Sequence, residues 1–211
     1  MNIAIIGAGN IGTGLARVLS PTRNGVVLAG RNLAKVREAA EAAGTGAHPV
    51  QAAGIDDAVA QAEVVILAVP YAAAIDLALT HGFEGKVVID PTNPVKADFS
   101  GLEVGFDTSA AEQIAAAAPK ARVVKGFNTV FAELYEHGAE IGGTRTPAFL
   151  ASDDADAKEA ASRIAEAAGF EPVDAGPLAN ARYVEPLAYL NIQFGYMLGR
   201  GTQIAPAWLF R

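Results

Sequence analysis

Short apolar runs alternate with stretches of helical periodicity along most of the chain. The runs predict strands buried on both faces, over 2–7, 25–30, 47–50, 63–69, 86–94 and 121–130. The intervening stretches predict helices over 11–20, 33–44, 55–62, 71–82 and 109–119. Strands alternating with helices imply right-handed crossovers between parallel strands. We therefore predict an α/β fold, a Rossmann-type doubly wound parallel sheet.

The pattern changes near residue 145. A strand "TPAFLAS", a helix from Asp153 to Ala168 and a strand "EPVDAG" precede a helix over 180–198 that is apolar on most sides. We predict a Rossmann domain over 1–144 and a small C-terminal α/β extension over 145–211 that closes the cleft. The apolar helix must be buried, either within the chain or against a second copy. With the tail "GTQIAPAWLFR", it favours a homodimer interface.

A glycine turn follows the first predicted strand. "GAGNIG" places Gly7, Gly9 and Gly12 in the G-x-G-x-x-G pattern, between a buried strand and a helix. Gly7 permits the tight turn, Gly9 lets the backbone approach a pyrophosphate, and Gly12 lets the helix pack closely on the strand. The N–H groups at the helix start would bind phosphates. The turn predicts a dinucleotide site.

The second predicted strand ends in "AGRN". An NAD site carries Asp or Glu at this point, about twenty residues past the glycines, to accept hydrogen bonds from the ribose 2′-hydroxyl. Here Gly30 leaves space and Arg31 offers a planar fork of donors suited to a phosphate. Lys35, one helical turn further on, adds a second cation. The pattern predicts a preference for NADP(H).

Several segments together extend beyond the nucleotide fingerprint: "NIAIIGAGNIGTGLA", "GRN", "VVILAVPYAAAID", "TSAAEQIA" and "EPVDAGPLANARYVEPLAYLNI". With these segments the chain resembles the family of NADPH:coenzyme F420 oxidoreductases, and equally the cytoplasmic reductase domain of the STEAP ferric reductases. "DAGPLANARYVEPL" is the most specific of the shared pieces. The resemblance implies a Rossmann fold, usually a homodimer, and hydride transfer between NADPH and a deazaflavin or flavin stacked on the nicotinamide.

The resemblance also implies cofactor-binding residues. The phosphate turn is Ala8, Gly9, Asn10 and Ile11, and the group for the 2′-phosphate is Arg31 with Asn32 and Lys35 nearby. The nicotinamide-ribose side is Val69, Pro70 and Ala74, and the carboxyl edge of the sheet contributes Asn128 and Thr129. We add Asn93, from the turn "DPTNP", to this set.

One stretch departs from the archaeal deazaflavin enzymes. They have His-Thr-Ile-Pro where this chain has "NTVF" at 128–131, and "KGFNTV" is closer to the STEAP-type K-A-F-N-T. The hydride partner is therefore left open between coenzyme F420, FMN and FAD. A reductase for a small carbonyl or imine and an NADPH-binding sensor without turnover are the alternatives. The haem-bearing membrane part of STEAP proteins is not in this chain.

Composition narrows the function classes further. A net charge of −7 argues against nucleic acid as a partner. The chain has no cysteine, which excludes thiolate catalysis and cysteine-ligated metals. No apolar run is long enough to span a bilayer, so we expect a cytoplasmic protein without membrane contact.

The sequence offers no convincing acid–base pair. The three histidines have no Ser or carboxylate partner at motif spacing, so we predict no catalytic acid or base and no metal. Hydride transfer between two bound rings needs little such help, because the cofactors carry the chemistry. Asp90 either binds substrate or orders its turn, and Lys125 pairs either with an anionic tail or with Asp90.

Overall fold

A central sheet of six parallel strands forms the core of the computed structural model, which describes residues 1–208. The sheet order is β3-β2-β1-β4-β5-β6, so the strand order reverses between β1 and β4. This is the predicted doubly wound arrangement. The strands are β1 (Asn2–Ile6), β2 (Gly25–Ala29), β3 (Gln51–Ala53), β4 (Val64–Leu67), β5 (Val87–Asp90) and β6 (Arg122–Lys125).

Helices cover both faces of the sheet. Up to residue 117 they are α1 (Asn10–Leu19), α2 (Leu33–Ala43), α3 (Ile55–Gln61), α4 (Tyr71–His81) and α5 (Ala110–Ala117). Successive strand residues point to opposite faces. Ile3 and Ile5 therefore pack with α1 and α2, whereas Ala4 and Ile6 pack with α3, α4 and α5. Burial on both faces explains why these strands are continuous apolar runs.

The rest of the described chain, from residue 133 to 208, forms two small two-stranded sheets and three α-helices. Its elements are α6 (Glu133–His137), β7 (Glu140–Ile141), β8 (Thr144–Arg145), β9 (Pro147–Leu150), α7 (Ala155–Ala167), β10 (Glu171–Asp174) and α8 (Ala181–Ile192). Parallel strands β9 and β10 pair with each other. An antiparallel bridge joins Ala151, just after β9, to Lys125 of β6, with N···O distances of 2.9 and 3.0 Å. α7 packs on the same face as α1.

Helix α8 is anchored to α5. Arg182 donates to both carboxylate oxygens of Glu112 at 2.6 to 3.1 Å, a two-point contact with a fixed geometry. The Arg182 guanidinium holds the pKa of Glu112 below its usual range. This contact places α8 beside the carboxyl ends of β5 and β6.

Two expectations need correction. The third strand is 51–53 rather than 47–50, because Gln51–Ala53 are the residues in register with Val27–Ala29 of β2. The helix predicted over 180–198 is α8 followed by a π-helical turn, Gln193–Met197. Within the chain only one of its faces is buried, and Leu190, Phe194 and Tyr196 are exposed. α6 and the β7–β8 hairpin were not predicted, because they are too short to show a periodicity.

The last three residues of the tail 201–211 lie outside the described residues. Within 1–208, no helix combines the length and the apolar character needed to cross a membrane.

Candidate functional site

The glycine turn between β1 and α1 has the geometry that its spacing predicts. Gly7 has φ +121°, and a Cβ there would lie 2.0 Å from the Ala68 carbonyl oxygen. A Cβ on Gly12 would lie 1.8 Å from the carbonyl oxygen of Gly7, so this glycine allows α1 to approach the turn. A Cβ on Gly9 would have no neighbour within 4 Å. The backbone at Gly9 is thus open to a ligand.

The start of α1 presents backbone donors beside this opening. Gly9 is the N-cap of α1 and has no side chain to cap it. The N–H groups in the first turn of a helix have no carbonyl partner within that helix. In α1 these are the N–H groups of Asn10, Ile11 and Gly12. The Ile11 side chain packs on the core, whereas Ala8 lines the space in front of the turn. The arrangement suits an anion.

The predicted cations lie in the same cleft. A cleft of about 440 Å³, called the Arg31 cleft below, is lined by Gly7 and Ala8 together with Gly30, Arg31, Asn32 and Lys35. Arg31 and Lys35 are exposed. Asn32 has a structural role as well, because its side chain caps α2 by accepting from Lys35 N at 3.2 Å.

The opposite wall of the Arg31 cleft is one face of α4. Val69 and Pro70 line it, but Ala74, placed with them on the nicotinamide-ribose side by the sequence, is fully buried, and Ala73 takes the lining position. Sequence reasoning missed the rest of this wall. The spacing of three or four residues from Pro70 along α4 is the signal that identifies it. Besides Ala73, the residues at this spacing that line the cleft are Asp76, Leu77, Thr80 and His81.

A second, smaller cavity contains the remaining predicted residues. This α8 cavity, about 170 Å³, lies between the loops after β5 and β6 and the helix α8. Asn93, Asn128, Thr129 and Asn191 form its polar lining, with Phe131 and Tyr196 among the apolar residues. Asn191 of α8 was not predicted. The α8 cavity lies on the β4–β5–β6 half of the sheet, and the Arg31 cleft lies around β1 and β2.

Reciprocal amide contacts hold the α8 cavity together. Asn128 Nδ2 donates to Asn93 Oδ1 at 3.0 Å and to the Val184 carbonyl of α8 at 3.2 Å. Asn93 Nδ2 donates to the Asn128 carbonyl at 2.8 Å. Asn191 Nδ2 donates to the Thr129 carbonyl at 3.1 Å. These contacts fix both loops relative to α8.

The loop after β6 has a strained backbone at its entry. Phe127 has φ +63°, a left-handed conformation that is rare for a bulky residue. Its ring is buried and packs edge-on against Phe170, with ring centroids 6.2 Å apart. This packing maintains the strained turn, and the turn directs Asn128 and Thr129 toward α8.

A buried ion cluster lies beneath the α8 cavity. Lys125 Nζ lies 2.8 Å from Asp90 Oδ2, 2.8 Å from Glu185 Oε1 and 2.6 Å from the Thr92 carbonyl oxygen. All three charged side chains are at most 1% exposed. Asp90 Oδ1 also accepts from Thr92 N at 2.8 Å, so Asp90 pairs with Lys125 and orders its turn. The Lys125 ammonium thus has three hydrogen-bond acceptors and no exposure to solvent.

Glu185 of α8 completes this cluster and was not predicted. Its carboxylate also accepts from the first backbone N–H groups of α5, from Ala110 N at 3.0 Å and Ala111 N at 3.2 Å. A carboxylate at a helix N-terminus is favoured by the helix dipole. Glu185 thus ties α8 to β5, β6 and α5 at once. One feature of the sequence could have identified Glu185: it is the one charged residue between 183 and 199, in an otherwise apolar helix.

Tyr71 stands at the first position of α4, beside the cluster. Burial raises the pKa of Tyr71, and the negative charges of Glu185, Glu103 and Asp90 raise this pKa further. Its hydroxyl donates to Gln113 Oε1. The Tyr71 side chain therefore remains a neutral hydroxyl at physiological pH.

No histidine forms a catalytic pair with a nucleophile in the described residues. His81 Nδ1 lies 3.4 Å from Asp56 Oδ1 at the rim of the Arg31 cleft, and its ring stacks on Phe83. Across residues 1–208, no group of three or more His, Cys, Asp or Glu side chains is arranged to hold a metal ion. The site offers two recesses: the Arg31 cleft, with hydrogen-bond donors suited to a phosphate, and the α8 cavity, with side-chain amides.

The open space at Gly9 leads to a first prediction. We expect Gly9→Ala to leave the melting temperature unchanged and to weaken NADP⁺ binding about tenfold, because the methyl group enters the space that a pyrophosphate needs. Gly12→Ala should instead destabilise the fold, by about 2–3 kcal/mol, because its Cβ meets a backbone oxygen. Thermal melts and calorimetric titration with NADP⁺ measure the two effects.

Gly46→Ala is the matched control for Gly9→Ala, since a Cβ there also has no neighbour within 4 Å. Gly46 lies away from both recesses, and its substitution should change neither quantity. Full NADP⁺ affinity in Gly9→Ala would contradict the assignment of the turn.

Comparisons with known proteins agree with this geometry. The family described as "NADP oxidoreductase coenzyme F420-dependent" matches residues 2–94. The F420-dependent NADP reductase of Methanothermobacter thermautotrophicus is 34% identical over 206 residues, which cover 91% of this chain and 88% of that protein. A solved structure from Arthrobacter sp. FB24, assigned as an F420-dependent NADP-reductase, has a TM-score of 0.84 at 28% identity and covers 100% of both chains.

A second group of relatives is longer. Metalloreductase STEAP3 of Rattus norvegicus is 30% identical over 188 residues, which cover 88% of this chain but 36% of that protein. The chain therefore spans about a third of the length of this relative.

Proposed function

The chain belongs to the family of F420-dependent NADP oxidoreductases, and from that premise we propose that it transfers a hydride between NADP(H) and a deazaflavin of the F420 type or a flavin. That the chain is an NADP-dependent oxidoreductase follows from the family. The identity of the second ring is the proposed part, because "NTVF" at 128–131 departs from the archaeal pattern.

The observation that carries the proposal is the composition of the Arg31 cleft. One wall supplies the backbone donors of the glycine turn, and the end of β2 supplies Arg31 and Lys35 in place of a carboxylate. The cleft's acid, Asp76, stands on the opposite wall, on α4. A 2′-phosphate requires donors without a nearby competing anion at the end of β2. We assign the pyrophosphate to residues 7–12 and the 2′-phosphate to Arg31, Asn32 and Lys35.

The nicotinamide half is assigned to the other half of the sheet. In a doubly wound fold a dinucleotide crosses the point where the strand order reverses, which here lies between β1 and β4. Val69 and Pro70 follow β4, and Asn93 and Asn128 follow β5 and β6 along the same edge. The bound nicotinamide supplies or accepts the hydride. The residues of this chain orient the two rings and exclude water, which is the protein's share of such a reaction.

We also propose that a second copy covers the exposed face of α8 and the turn that follows it. Five large apolar side chains there are between 42% and 62% exposed: Leu190, Phe194, Tyr196, Met197 and Leu198. A contiguous apolar surface of this kind marks an interaction site in a water-soluble protein. The C-terminal part, 145–211, would then both close the cleft and form the dimer interface.

Anaerobic oxidation of NADPH tests the proposed reaction. Coenzyme F420, FMN and FAD are offered separately as acceptors, and NADH replaces NADPH as the control donor. We expect turnover with NADPH and at least one of these rings, and little with NADH. Turnover with F420 alone assigns a deazaflavin partner, and turnover with FMN or FAD alone assigns a flavin. Tight NADPH binding without turnover on any ring would refute the proposal and favour a small-molecule reductase or a sensor.

A further inference from the structure

The α8 cavity contains two buried polar atoms that have no partner within residues 1–208. They are Asn128 Oδ1 and Thr129 Oγ1, on side chains that are 6% and 3% exposed. Leaving such atoms buried and unpaired costs about 1–3 kcal/mol each. Both residues line the α8 cavity. The pair therefore points to something that fills this space.

The hydrogen-bond network determines which atom Asn128 offers. Its Nδ2 donates to Asn93 Oδ1 and to the Val184 carbonyl, and a flipped amide would set two oxygens against each other at both contacts. The free atom is thus an oxygen, which accepts. Thr129 carries a hydroxyl, which can donate. The cavity presents an acceptor and a donor on adjacent residues.

We infer that the α8 cavity binds the edge of a planar amide, with its N–H directed to Asn128 Oδ1 and its C=O accepting from Thr129 Oγ1. At about 170 Å³ the cavity is smaller than the roughly 300–1,000 Å³ of sites that enclose a whole drug-sized ligand. It has room for the edge of a ring system, not for three fused rings. Water molecules can occupy the space in the free protein, and an amide edge replaces their hydrogen bonds.

Two ligands of the proposed function carry such an edge, so this inference rests on that proposal. One is the carboxamide of the nicotinamide, and the other is the C=O/N–H edge of the flavin or deazaflavin pyrimidine ring. Both place a donor beside an acceptor in one plane. Contacts to Asn128 and Thr129 would fix which ring face meets the other ring, a matter of positioning rather than of proton transfer.

Equilibrium binding tests the inference without requiring turnover. In wild-type protein, calorimetry compares NADP⁺ with its 3-acetylpyridine analogue, in which a methyl group replaces the amide NH₂. Thr129→Val removes the hydroxyl at nearly constant volume. Thr146→Val is the matched control, because Thr146 Oγ1 is also buried and unpaired but lies outside the α8 cavity.

If the carboxamide is the ligand, the analogue binds about tenfold more weakly than NADP⁺, and Thr129→Val weakens NADP⁺ binding by a similar factor. If the pyrimidine edge is the ligand, NADP⁺ binding is unchanged. FMN or F420 then binds about tenfold more weakly to the NADP⁺-loaded Thr129→Val protein.

Two results together would overturn the inference. Thr129→Val and Thr146→Val would bind every ligand with equal affinity, and the wild type would bind NADP⁺ and its analogue equally tightly. The cavity would then hold only water. Because the carboxamide arm measures binding alone, it is informative even if no acceptor supports turnover. The analogue comparison uses unmodified protein, so a folding defect in a variant cannot imitate its result.

Discussion

Arg31→Ala is expected to weaken NADPH binding about a hundredfold while leaving NADH binding nearly unchanged. The Arg31 guanidinium is exposed in a cleft whose other walls are the glycine turn and α4. A hydrogen bond to a charged group contributes about 1.5–3 kcal/mol, and two such bonds to a phosphate account for about 3 kcal/mol after desolvation, or about a hundredfold. NADH has no 2′-phosphate, so its binding free energy does not include these contacts and should not change.

Calorimetric titration of both dinucleotides measures the effect. Arg37→Ala is the matched control, since Arg37 is also an exposed arginine, lies on α2 and does not line the Arg31 cleft. Lys35→Ala should have a smaller effect of the same sign, because a single ammonium makes fewer phosphate contacts than a guanidinium. Raising the salt concentration should reduce the wild-type preference for NADPH. Equal affinities of the wild type for NADH and NADPH would exclude this role for Arg31.

The part of the site that sequence reasoning predicted is the part that depends on neighbours in the chain. The requirement for glycine at position 7 includes a local one, its φ of +121°, and the requirement at position 12 arises from the carbonyl oxygen of Gly7, five residues earlier. Arg31 follows directly from where β2 ends. The parallel, doubly wound sheet likewise follows from the alternation of strands and helices, through the right-handed crossover rule.

The remaining part depends on contacts between distant segments. Glu185 meets α5 across 75 and 74 residues of sequence, and Asn93 meets Asn128 across 35. No local spacing indicates such pairs. The sequence predicts burial of the apolar helix either within the chain or against a second copy. Contacts within the chain bury one face and leave Leu190, Phe194 and Tyr196 exposed, a division that no local pattern indicates. A lone acid within an apolar helix, as at Glu185, is the local feature that could have indicated a buried partner.

Lys125→Met should lower the free energy of unfolding by about 3–5 kcal/mol, the cost of removing one partner from a buried ion pair. The substitution leaves the carboxylates of Asp90 and Glu185 buried and facing each other without the ammonium between them. Their other donors, Thr92 N and the N-terminus of α5, compensate only in part. For a chain of this size the melting temperature should fall by about 10 °C.

Lys120→Met is the matched control for this substitution. Lys120 Nζ lies 2.9 Å from Glu84 Oε1, nearly the same distance as in the buried pair. The side chains of Lys120 and Glu84 are, however, each more than two-thirds exposed. Exposed pairs contribute about 0–1 kcal/mol, so this variant should melt within about 2 °C of the wild type. A loss no larger in Lys125→Met than in Lys120→Met would show that the cluster is not under the electrostatic constraint argued above.

The stability lost in Lys125→Met should return when the stranded charges are removed. Adding Asp90→Asn and Glu185→Gln neutralises both carboxylates and keeps an oxygen on each side chain to accept from Thr92 N and from the start of α5. Because a buried ion cluster as a whole contributes little net stability, the triple variant should unfold nearer to the wild type than Lys125→Met does in urea denaturation. A recovery of stability would show that the loss in Lys125→Met comes from the unpaired carboxylates and not from altered packing, since the methionine is present in both proteins. A triple variant as unstable as Lys125→Met would instead assign the loss to packing of the lysine stem between β5, β6 and α8.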